Sequence, residues 1–242
     1  MSALPLQGKT ALITGSTQGL GLATAKQFAA AGCRIIDNGF RGAKYVGADL
    51  RDPAQIEAMI QAAGPIDILV NNAVVRHAAP IEQFTPDQWD ESLAVNLSAA
   101  YHTIRLTLPG MKARGWGRIV NISSIYGQRG AANRIGYVTT KTALIGLMRA
   151  VALEVVGTGV TCNAVCPGTT ETPVHDATIE ALMKNEGLSH AEAERRFLAG
   201  KQPTGRIIAA NDVAQLIVFL CGPASGDING SVFPIDAGWS AG

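Results

Sequence analysis

A strand-like run, a glycine-rich turn and a helical pattern follow one another near the N-terminus, and this order constrains the fold most strongly. The apolar run 9–14 (KTALIT) precedes glycines at positions 15, 19 and 21, and a helical pattern continues to Gly32. Glycines at such a turn let the backbone approach a pyrophosphate, whose charge meets the free N–H groups of the helix. The segment therefore predicts a dinucleotide-binding turn, although a tight turn without a ligand would use the same residues.

Strand-like and helix-like segments alternate along the rest of the 242 residues, and no change in composition divides the chain. The alternation predicts one α/β domain, 1–242, built on a Rossmann-type doubly wound parallel sheet of about seven strands. The predicted strands are 9–14, 33–37, 44–48, 66–70, 118–123, 160–165 and 231–236. Because a crossover with a helix needs at least ~10–12 residues, the short segment 38–43 predicts that the helix between strands 2 and 3 is missing.

Several helices have recognisable starts. Asp52 and Pro53 predict a helix that runs to about Ala63, and Thr85 with Gln88 forms a capping box at the start of a long helix. Segment 174–206, after strand 6, predicts two polar helices, one following Asp176 and one starting at a second capping box, 189–192. We expect this insertion to be a substrate lid, since mobile segments often cover such sites; the alternative is a surface helix pair without a gating role.

Composition excludes several classes of function. The net charge is +1 without basic runs, so nucleic-acid binding has no electrostatic support. No apolar run reaches the ~18 residues of a membrane span, and the N-terminus lacks a signal-peptide pattern, which predicts a cytoplasmic protein. The four cysteines and four histidines share no metal-ligand spacing, so no metal site is expected.

Tyr137 and Lys141 are four residues apart in a helical pattern and would lie on one helix face. A free phenol titrates near pH ~10, and a nearby cation stabilises its phenolate. A tyrosine in this setting can pass a proton to or from a substrate oxygen, which Ser124 could hold by a hydrogen bond. The alternative is an ordinary helix whose tyrosine packs and whose lysine is solvated.

Four candidate site positions lie just past the ends of predicted strands: Gly15, Asn71, Ser124 and Pro167. Ligands of open α/β sheets bind at the carboxyl edge of the strands. Convergence of these candidates on one edge favours a functional role for Tyr137. Asn96, a polar residue among apolar ones in the long helix, could face the same site or could be a satisfied core amide.

Together these motifs resemble the classical short-chain dehydrogenases/reductases over nearly the whole chain. The resemblance implies hydride transfer between a nicotinamide cofactor and a secondary alcohol or ketone. It implies that Tyr137 is the acid/base, that Lys141 binds the nicotinamide ribose and tunes the tyrosine, that Ser124 orients the reacting oxygen, and that Asn96 anchors a water in a proton relay. The implied cofactor-binding residues are Gly15, Thr17, Gln18, Gly19, Leu20, Gly21, Asn38, Phe40, Asp49, Leu50, Asn71, Ala73, Tyr137, Lys141, Pro167, Gly168, Thr170 and Thr172.

Several further stretches are similar to the D-3-hydroxybutyrate dehydrogenase subfamily: 38–40, 47–50, 96–99, 201–203 and 236–239. That subfamily holds a substrate carboxylate with Gln, His, Lys and Gln side chains, and the matching positions here are Arg76, Tyr126, Arg134 and Thr178; Thr169 replaces a lid tryptophan. Arg76 and Arg134 could clamp an acid, because a guanidinium pairs well with a carboxylate, or they could be solvated loop residues. The implied substrate contacts are Arg76, Ser124, Tyr126, Arg134 and Tyr137.

Two residues near the end of the second predicted strand bear on the choice of cofactor. Asp37 favours NAD and Arg41 favours NADP, since an acidic residue suits the free ribose hydroxyl and an arginine suits a phosphate there; we expect NAD. Val74 replaces a glycine usual in the family. The resemblance implies a homotetramer, in which the apolar C-terminus could be buried.

A small hydroxy acid is the favoured substrate. The alternatives are a sugar, a cyclic alcohol or a dihydrodiol, and, in another class, a non-catalytic NAD(P)-sensing scaffold.

Overall fold

A computed structural model describes residues 4–38 and 47–241. Six parallel strands form one sheet in the order β2-β1-β3-β4-β5-β6. The strands are β1 (Thr10–Thr14), β2 (Arg34–Asn38), β3 (Ile68–Asn71), β4 (Gly117–Ile122), β5 (Val160–Pro167) and β6 (Val232–Ile235). The doubly wound parallel sheet is confirmed, with six strands within the described residues where about seven were predicted.

The strand predicted at 44–48 is not among these six. Gly47 and Ala48 are not in a strand, and the rest of that run lies outside the described residues. The predicted absence of a helix at 38–43 also falls almost entirely outside them. What the structure does fix is the register of β2, in which Asp37 pairs with Ile13 of β1.

Helices cover both faces of the sheet. They are α1 (Gly19–Ala30), α2 (Pro53–Ala63), α3 (Pro86–Leu93), α4 (Ala99–Ala113), α5 (Ile135–Glu154), α6 (Pro173–Glu186), α7 (His190–Phe197) and α8 (Ala210–Cys221). One apolar core lies between the sheet and α2, α4 and α5, and a second lies between the sheet and α1 and α8. No helix within 4–38 or 47–241 is long and apolar enough to cross a bilayer.

Most helix starts follow their predicted caps. The Asp52 side chain accepts from the backbone N–H of Ala54, and both capping boxes, at Thr85 and Ser189, are formed. The first polar helix is an exception, because α6 starts at Pro173, before Asp176. Thr172 caps it by accepting from the N–H of His175, and proline is well suited to the first helical position.

The predicted long helix after Thr85 is interrupted. A π-helical turn, Ala94–Ser98, separates α3 from α4 and contains Asn96. Single π turns inside helices are often found at functional sites, because they shift side chains and free backbone groups. The sequence pattern of apolar residues around Asn96 gave no sign of this change in helical period.

β1 and β3 are neighbours in the sheet, but the helix α1 that follows β1 and the helix α4 that follows β3 pack on opposite faces, so a crevice opens between the two connections. Ligands of open α/β sheets bind at such a switch point. The glycine turn after β1 and the segment after β3 therefore lie side by side, and a side-chain carbon placed on Gly15 would be 2.9 Å from the Cα atom of Ala73. This crevice positions the candidate site.

Candidate active site

A cleft with a volume of about 440 Å³ opens at the carboxyl edge of the sheet. Its walls come from the glycine turn, the segment after β3, the end of β4, α5 and the segment from the end of β5 into α6. The predicted residues that line it are Gly15, Thr17, Gln18, Gly19, Leu20, Gly21, Ala73, Arg76, Ser124, Tyr137, Lys141, Pro167, Gly168, Thr170 and Thr172. Most of the predicted site therefore meets in one place.

The glycine turn lines the cleft with backbone atoms and is tightly packed. Gly15 and Gly19 have positive φ angles of 66° and 51°, a region that favours glycine. A side-chain carbon on Gly21 would be only 2.2 Å from the Gly15 carbonyl oxygen. Asn72 fixes the turn by donating from Nδ2 to the carbonyl oxygens of Thr14 (2.9 Å) and Gly15 (3.1 Å).

The N-terminus of α1 faces this turn with its backbone donors uncapped by a side chain, because Gln18 at the cap makes no such hydrogen bond. Free N–H groups and the positive end of the helix dipole suit an anionic group. A tightly packed glycine turn beside free N–H donors suits the pyrophosphate of a dinucleotide.

Tyr137 and Lys141 lie on the same face of α5, as predicted. The Lys141 ammonium is 5.7 Å from the centre of the Tyr137 ring and donates from Nζ to the Ile122 carbonyl oxygen (2.6 Å). Lys141 is only 2% exposed. Its burial, followed by the positive charge of Arg76, lowers the Lys141 pKa to about 7.

Ser124 follows β4 and lies beside these two residues. Its backbone is extended, and its Oγ accepts a hydrogen bond from the N–H of Tyr126 (3.2 Å). A hydroxyl that already accepts one bond can still donate its own hydrogen. The arrangement therefore leaves a donor at the cleft wall, suited to a substrate oxygen.

Asn96 does not line the main cleft. It is 2% exposed, and its amide pairs with the backbone of Val75, with Oδ1 accepting at 2.8 Å and Nδ2 donating at 3.0 Å. Both polar atoms of this buried amide are therefore satisfied within the protein. Here the pairing holds the segment whose neighbours, Val74 and Arg76, line the cleft.

Asn71 is likewise turned into the protein interior. Its Nδ2 donates to Oδ1 of Asn121 (2.9 Å), and its Oδ1 accepts from the Thr103 hydroxyl (2.8 Å). These bonds join β3, β4 and α4 behind the cleft. Asn71 is therefore placed to support the site from behind, and its side chain is not part of the lining.

Of the remaining predicted adenosine-side residues, Asp49 and Leu50 are described, and neither lines the main cleft. Asp49 pairs with Arg51 (2.6 Å), and the hydrogen bonds from Arg51 lower the Asp49 pKa to about 2. Leu50 lines a small separate cavity beside Asn96. Phe40 and Arg41 lie outside the described residues, as do the side chains of Asp37 and Asn38.

On the substrate side, the Arg76 guanidinium is exposed and 5.6 Å from the centre of the Tyr137 ring. Within the described parts of the chain, no carboxylate forms an ion pair with Arg76. The lining described for the cleft contains Arg76 and Lys141 and no aspartate or glutamate. This wall is therefore positively charged.

Tyr126 and Arg134, which were predicted to contact the substrate, do not line the cleft. The Tyr126 ring contacts Tyr137 edge-on at 6.4 Å and Trp239 at 5.3 Å. Burial raises the Tyr126 pKa, and the charge of Arg134 at the start of α5 acts in the opposite direction. Tyr126 therefore reaches the site only through its contact with Tyr137.

Sequence reasoning missed three residues of the site. His175 lines the cleft from the first turn of α6, and Asn72 shapes the glycine turn. Gln202 is 3% exposed; its Oε1 accepts from the Thr169 N–H and its Nε2 donates to the Arg206 carbonyl oxygen (2.6 Å). Asn72 had a usable signal in its position after a strand end, whereas the other two depend on how α6 and α7 fold back.

Comparisons with known proteins agree with this geometry. The sequence model described as short chain dehydrogenase matches residues 9–182. A D-beta-hydroxybutyrate dehydrogenase of Cupriavidus necator is 42% identical, covering 98% of this chain and 99% of its own length. A 2-keto-3-deoxy-L-fuconate dehydrogenase of Xanthomonas campestris is 36% identical, covering 97% of this chain and 81% of its own.

A solved structure has the same fold. The L-sorbose reductase of Gluconobacter frateurii, in complex with NADPH and L-sorbose, superposes with a TM-score of 0.91 at 28% identity over 98% of both chains. The similarity spans the whole sheet and its flanking helices.

Proposed function

The chain belongs to the short-chain dehydrogenase family and is an oxidoreductase that works with a nicotinamide cofactor, and we propose that its substrate is a small hydroxy acid. One observation carries this proposal: the guanidinium of Arg76 stands over the Tyr137 ring without a carboxylate partner in the described residues. A substrate carboxylate is the natural partner for a free guanidinium. The names of the two relatives are also those of hydroxy-acid or sugar-acid enzymes.

We assign the binding of the cofactor to the glycine turn and to the segment after β5. The turn offers backbone donors to a pyrophosphate, and Gly15 and Gly21 let the turn pack tightly against Ala73 and against itself, where a side-chain carbon would not fit. A bound nicotinamide would exchange a hydride with the substrate carbon that bears the reacting oxygen. Thr170 and Thr172 on the opposite wall supply hydroxyl groups to the same cleft.

We assign the proton transfer to Tyr137. During oxidation its phenolate accepts the hydroxyl proton of the substrate, and during reduction its phenol returns that proton to the carbonyl oxygen. Ser124 donates to the same oxygen and fixes its position. Protonated Lys141, already tied to the Ile122 carbonyl, stabilises the phenolate by its charge.

Asn96 supports this chemistry from behind. By pairing with both backbone groups of Val75, it fixes the segment that presents Arg76 to the cleft. The π turn brings it to this position, and it also lies 3.4 Å from the Thr140 hydroxyl in α5. We assign it a positioning role in the family's proton relay.

We propose NAD as the cofactor. Asp37 is next to the last residue of β2, and an acidic side chain at the end of this strand favours a free ribose hydroxyl. The sorbose reductase, which is less similar in sequence, was solved with NADPH. A fluorescence titration decides between them, with a lower Kd for NADH expected and a lower Kd for NADPH contradicting the choice.

We further propose that one domain, 1–242, carries both binding sites and that 174–206 is the lid of the substrate side. Pro173 and His175 at the start of α6 line the cleft, and α6 packs on α7. Closure of these helices over a substrate would exclude water. Reduced proteolysis within 174–206 on adding cofactor and substrate is expected, and unchanged cleavage would contradict it.

A homotetramer in the cytoplasm completes the proposal. Tyr101 on α4, Leu153 on α5 and Phe219 on α8 are at least half exposed, and β6 is an edge strand. Exposed apolar residues on long helices suit contacts between copies of the chain. The four unpaired cysteines suit a reducing compartment. Light scattering that gives a monomer would reject the assembly.

The substrate class is tested with a matched panel and purified protein. Oxidation of 3-hydroxybutyrate and related hydroxy acids is compared with oxidation of neutral analogues, such as 3-hydroxybutyramide and 2-butanol. We expect kcat/KM to be at least about tenfold higher for the acids, because a charged hydrogen bond contributes roughly 1.5–3 kcal/mol. Equal or better turnover of the neutral alcohols would reject the proposal and favour a sugar or other neutral alcohol.

A further inference from the structure

His175 is a polar group of the substrate side that the catalytic scheme leaves without a role. It lies in the first turn of α6 and lines the same cleft as Arg76 and Tyr137. It is close enough to Arg76 for that positive charge to affect its titration. A histidine at a cleft wall offers hydrogen bonds that an aliphatic residue would not.

The imidazole is held in one orientation. Its Nδ1 atom is 2.8 Å from the carbonyl oxygen of Thr170, and because a carbonyl can only accept, Nδ1 must carry the hydrogen. The ring also packs against Phe197 of α7, with centroids 5.3 Å apart. Nε2 is therefore the atom left for another partner.

Nε2 of His175 is a hydrogen-bond acceptor in the neutral ring. Burial lowers the His175 pKa, against the opposing effect of the Thr170 hydrogen bond, and the charges of Arg76 and Lys201 lower it further. The ring is accordingly neutral at pH 7. In the described residues Nε2 has no donor, and a half-buried acceptor is stabilised when a ligand supplies one.

We propose that Nε2 of His175 accepts a hydrogen bond from a second hydroxyl of the substrate, so that the preferred substrate is a hydroxy acid with at least one further hydroxyl. The inference rests on the proposed function. Arg76 binds the carboxylate, Tyr137 and Ser124 bind the oxygen that reacts, and His175 binds the additional hydroxyl. Three separate contacts of this kind fix both the orientation and the class of the substrate.

A monohydroxy acid would leave Nε2 unpaired in the closed site, and sites built to bind a hydroxyl discriminate against analogues that lack it. The 36%-identical relative named for 2-keto-3-deoxy-L-fuconate carries a sugar acid in its name. Substrates of that chemical class combine a carboxylate with several hydroxyls. They match the three groups that the cleft presents.

The test compares 3-hydroxybutyrate with 2,3-dihydroxybutyrate and 3,4-dihydroxybutyrate, which keep the acid and the reacting hydroxyl and add one more. In the unmodified enzyme we expect kcat/KM for one of the dihydroxy acids to exceed that for 3-hydroxybutyrate by at least about tenfold. His175→Val should lower this ratio roughly 10- to 100-fold, because the acceptor is removed. The KM of the dihydroxy acid should rise more than kcat falls.

Two matched variants separate recognition from structure. His175→Gln keeps an acceptor near the Nε2 position and should retain most of the preference. His190→Val changes a histidine of α7 that is 69% exposed in its side chain, and it should leave the ratio unchanged. Far-ultraviolet circular dichroism and the melting temperature show whether each variant is folded.

The outcomes separate this inference from the proposed function. An unchanged substrate ratio in His175→Val, or an unmodified enzyme that prefers 3-hydroxybutyrate to both dihydroxy acids, overturns the role of His175 and leaves the hydroxy-acid function standing. Equal losses on all the acids would make His175 a structural residue of α6 and also overturn it. Absence of turnover on every hydroxy acid overturns both.

Discussion

The glycine-turn side of the cleft and its Arg76 side differ in what the protein presents to a ligand. The glycine-turn side presents backbone, namely the turn after β1 and the uncapped start of α1, shaped by hydrogen bonds from Asn72. The Arg76 side presents side chains from separate segments, with Arg76 after β3, Tyr137 on α5 and His175 on α6. Backbone can bind a common cofactor, whereas side chains can change with the substrate.

This difference has a consequence for mutation. A change on the glycine-turn side should affect cofactor binding with every substrate, since all reactions use that side. A change on the Arg76 side should alter the choice of substrate while the cofactor still binds. Tyr137 and Lys141 lie where the two sides meet, so their substitution should affect the chemistry itself.

Tyr137→Phe should give the largest effect. Removing the hydroxyl keeps the ring beside Arg76 but removes the proton-transfer group, and such groups contribute about 10²–10⁴-fold to rates. We expect kcat to fall by that amount with the NADH Kd changed less than about threefold. Tyr101→Phe, at a half-exposed tyrosine of α4, is the control. Normal turnover in Tyr137→Phe would contradict its assigned role.

Gly21→Ala tests the glycine-turn side. The new carbon would lie 2.2 Å from the Gly15 carbonyl oxygen, so the backbone must shift at a cost of about 1–3 kcal/mol. We expect weaker NADH binding and equal losses of kcat/KM on all substrates. Gly146→Ala in α5, where a side-chain carbon meets nothing within 4 Å, should instead stabilise the protein by about 0.5–1 kcal/mol.

A change in substrate preference in Gly21→Ala, with NADH binding intact, would break the division between the two sides. Calorimetric titration of NADH and denaturant unfolding of both glycine variants measure the two effects separately. Destabilisation of Gly146→Ala would show that its exposed position is used in a contact between copies of the chain.

Lys141→Met should separate stability from activity in the cofactor-free protein. The Lys141 pKa is about 7 in the folded protein against an ordinary value of 10.5, so from pH 7 to 10.5 the unfolded chain holds a proton that the folded protein has released. The unfolding free energy of the unmodified protein should therefore rise with pH across this window. It should be lowest below pH 7, where the buried ammonium is charged.

The methionine variant removes this charge and should be more stable than the unmodified protein at pH 6–7, by on the order of a few kcal/mol at most, since each pKa unit corresponds to about 1.4 kcal/mol. The difference should shrink towards pH 10, and activity should be lost. Urea unfolding at several pH values measures it. A destabilised variant, or the same pH dependence in both proteins, would contradict the burial of a charged lysine.

The backbone-built side was also the more predictable one. The strand, glycine turn and helix that build it are a local pattern whose conformation follows from neighbouring residues, and the structure has them in the predicted order. Tyr137 and Lys141 share a face because helical spacing requires it. The doubly wound parallel sheet followed from the alternation of strands and helices, and the described residues contain six strands where about seven were predicted.

The side-chain-built side depends on tertiary structure. The π turn at Asn96 arises where packing overrides the local helical period, and no residue pattern in 94–98 indicates it. His175 reaches the cleft because Thr172 starts α6 earlier than Asp176 would, and because α7 folds back to place Phe197 against the imidazole. Asn71 follows a strand end but turns inward, because Asn121 and Thr103 offer it partners.

The central claim, that Arg76 recognises a substrate carboxylate, is tested most directly by the kcat/KM ratio of 3-hydroxybutyrate to 3-hydroxybutyramide in Arg76→Gln. Loss of a charged hydrogen bond should lower that ratio roughly 10- to 100-fold, with the NADH Kd unchanged. Arg195→Gln, at an exposed arginine of α7, should leave the ratio as it is. An unchanged ratio in Arg76→Gln would show that the arginine is a bystander and would contradict the account.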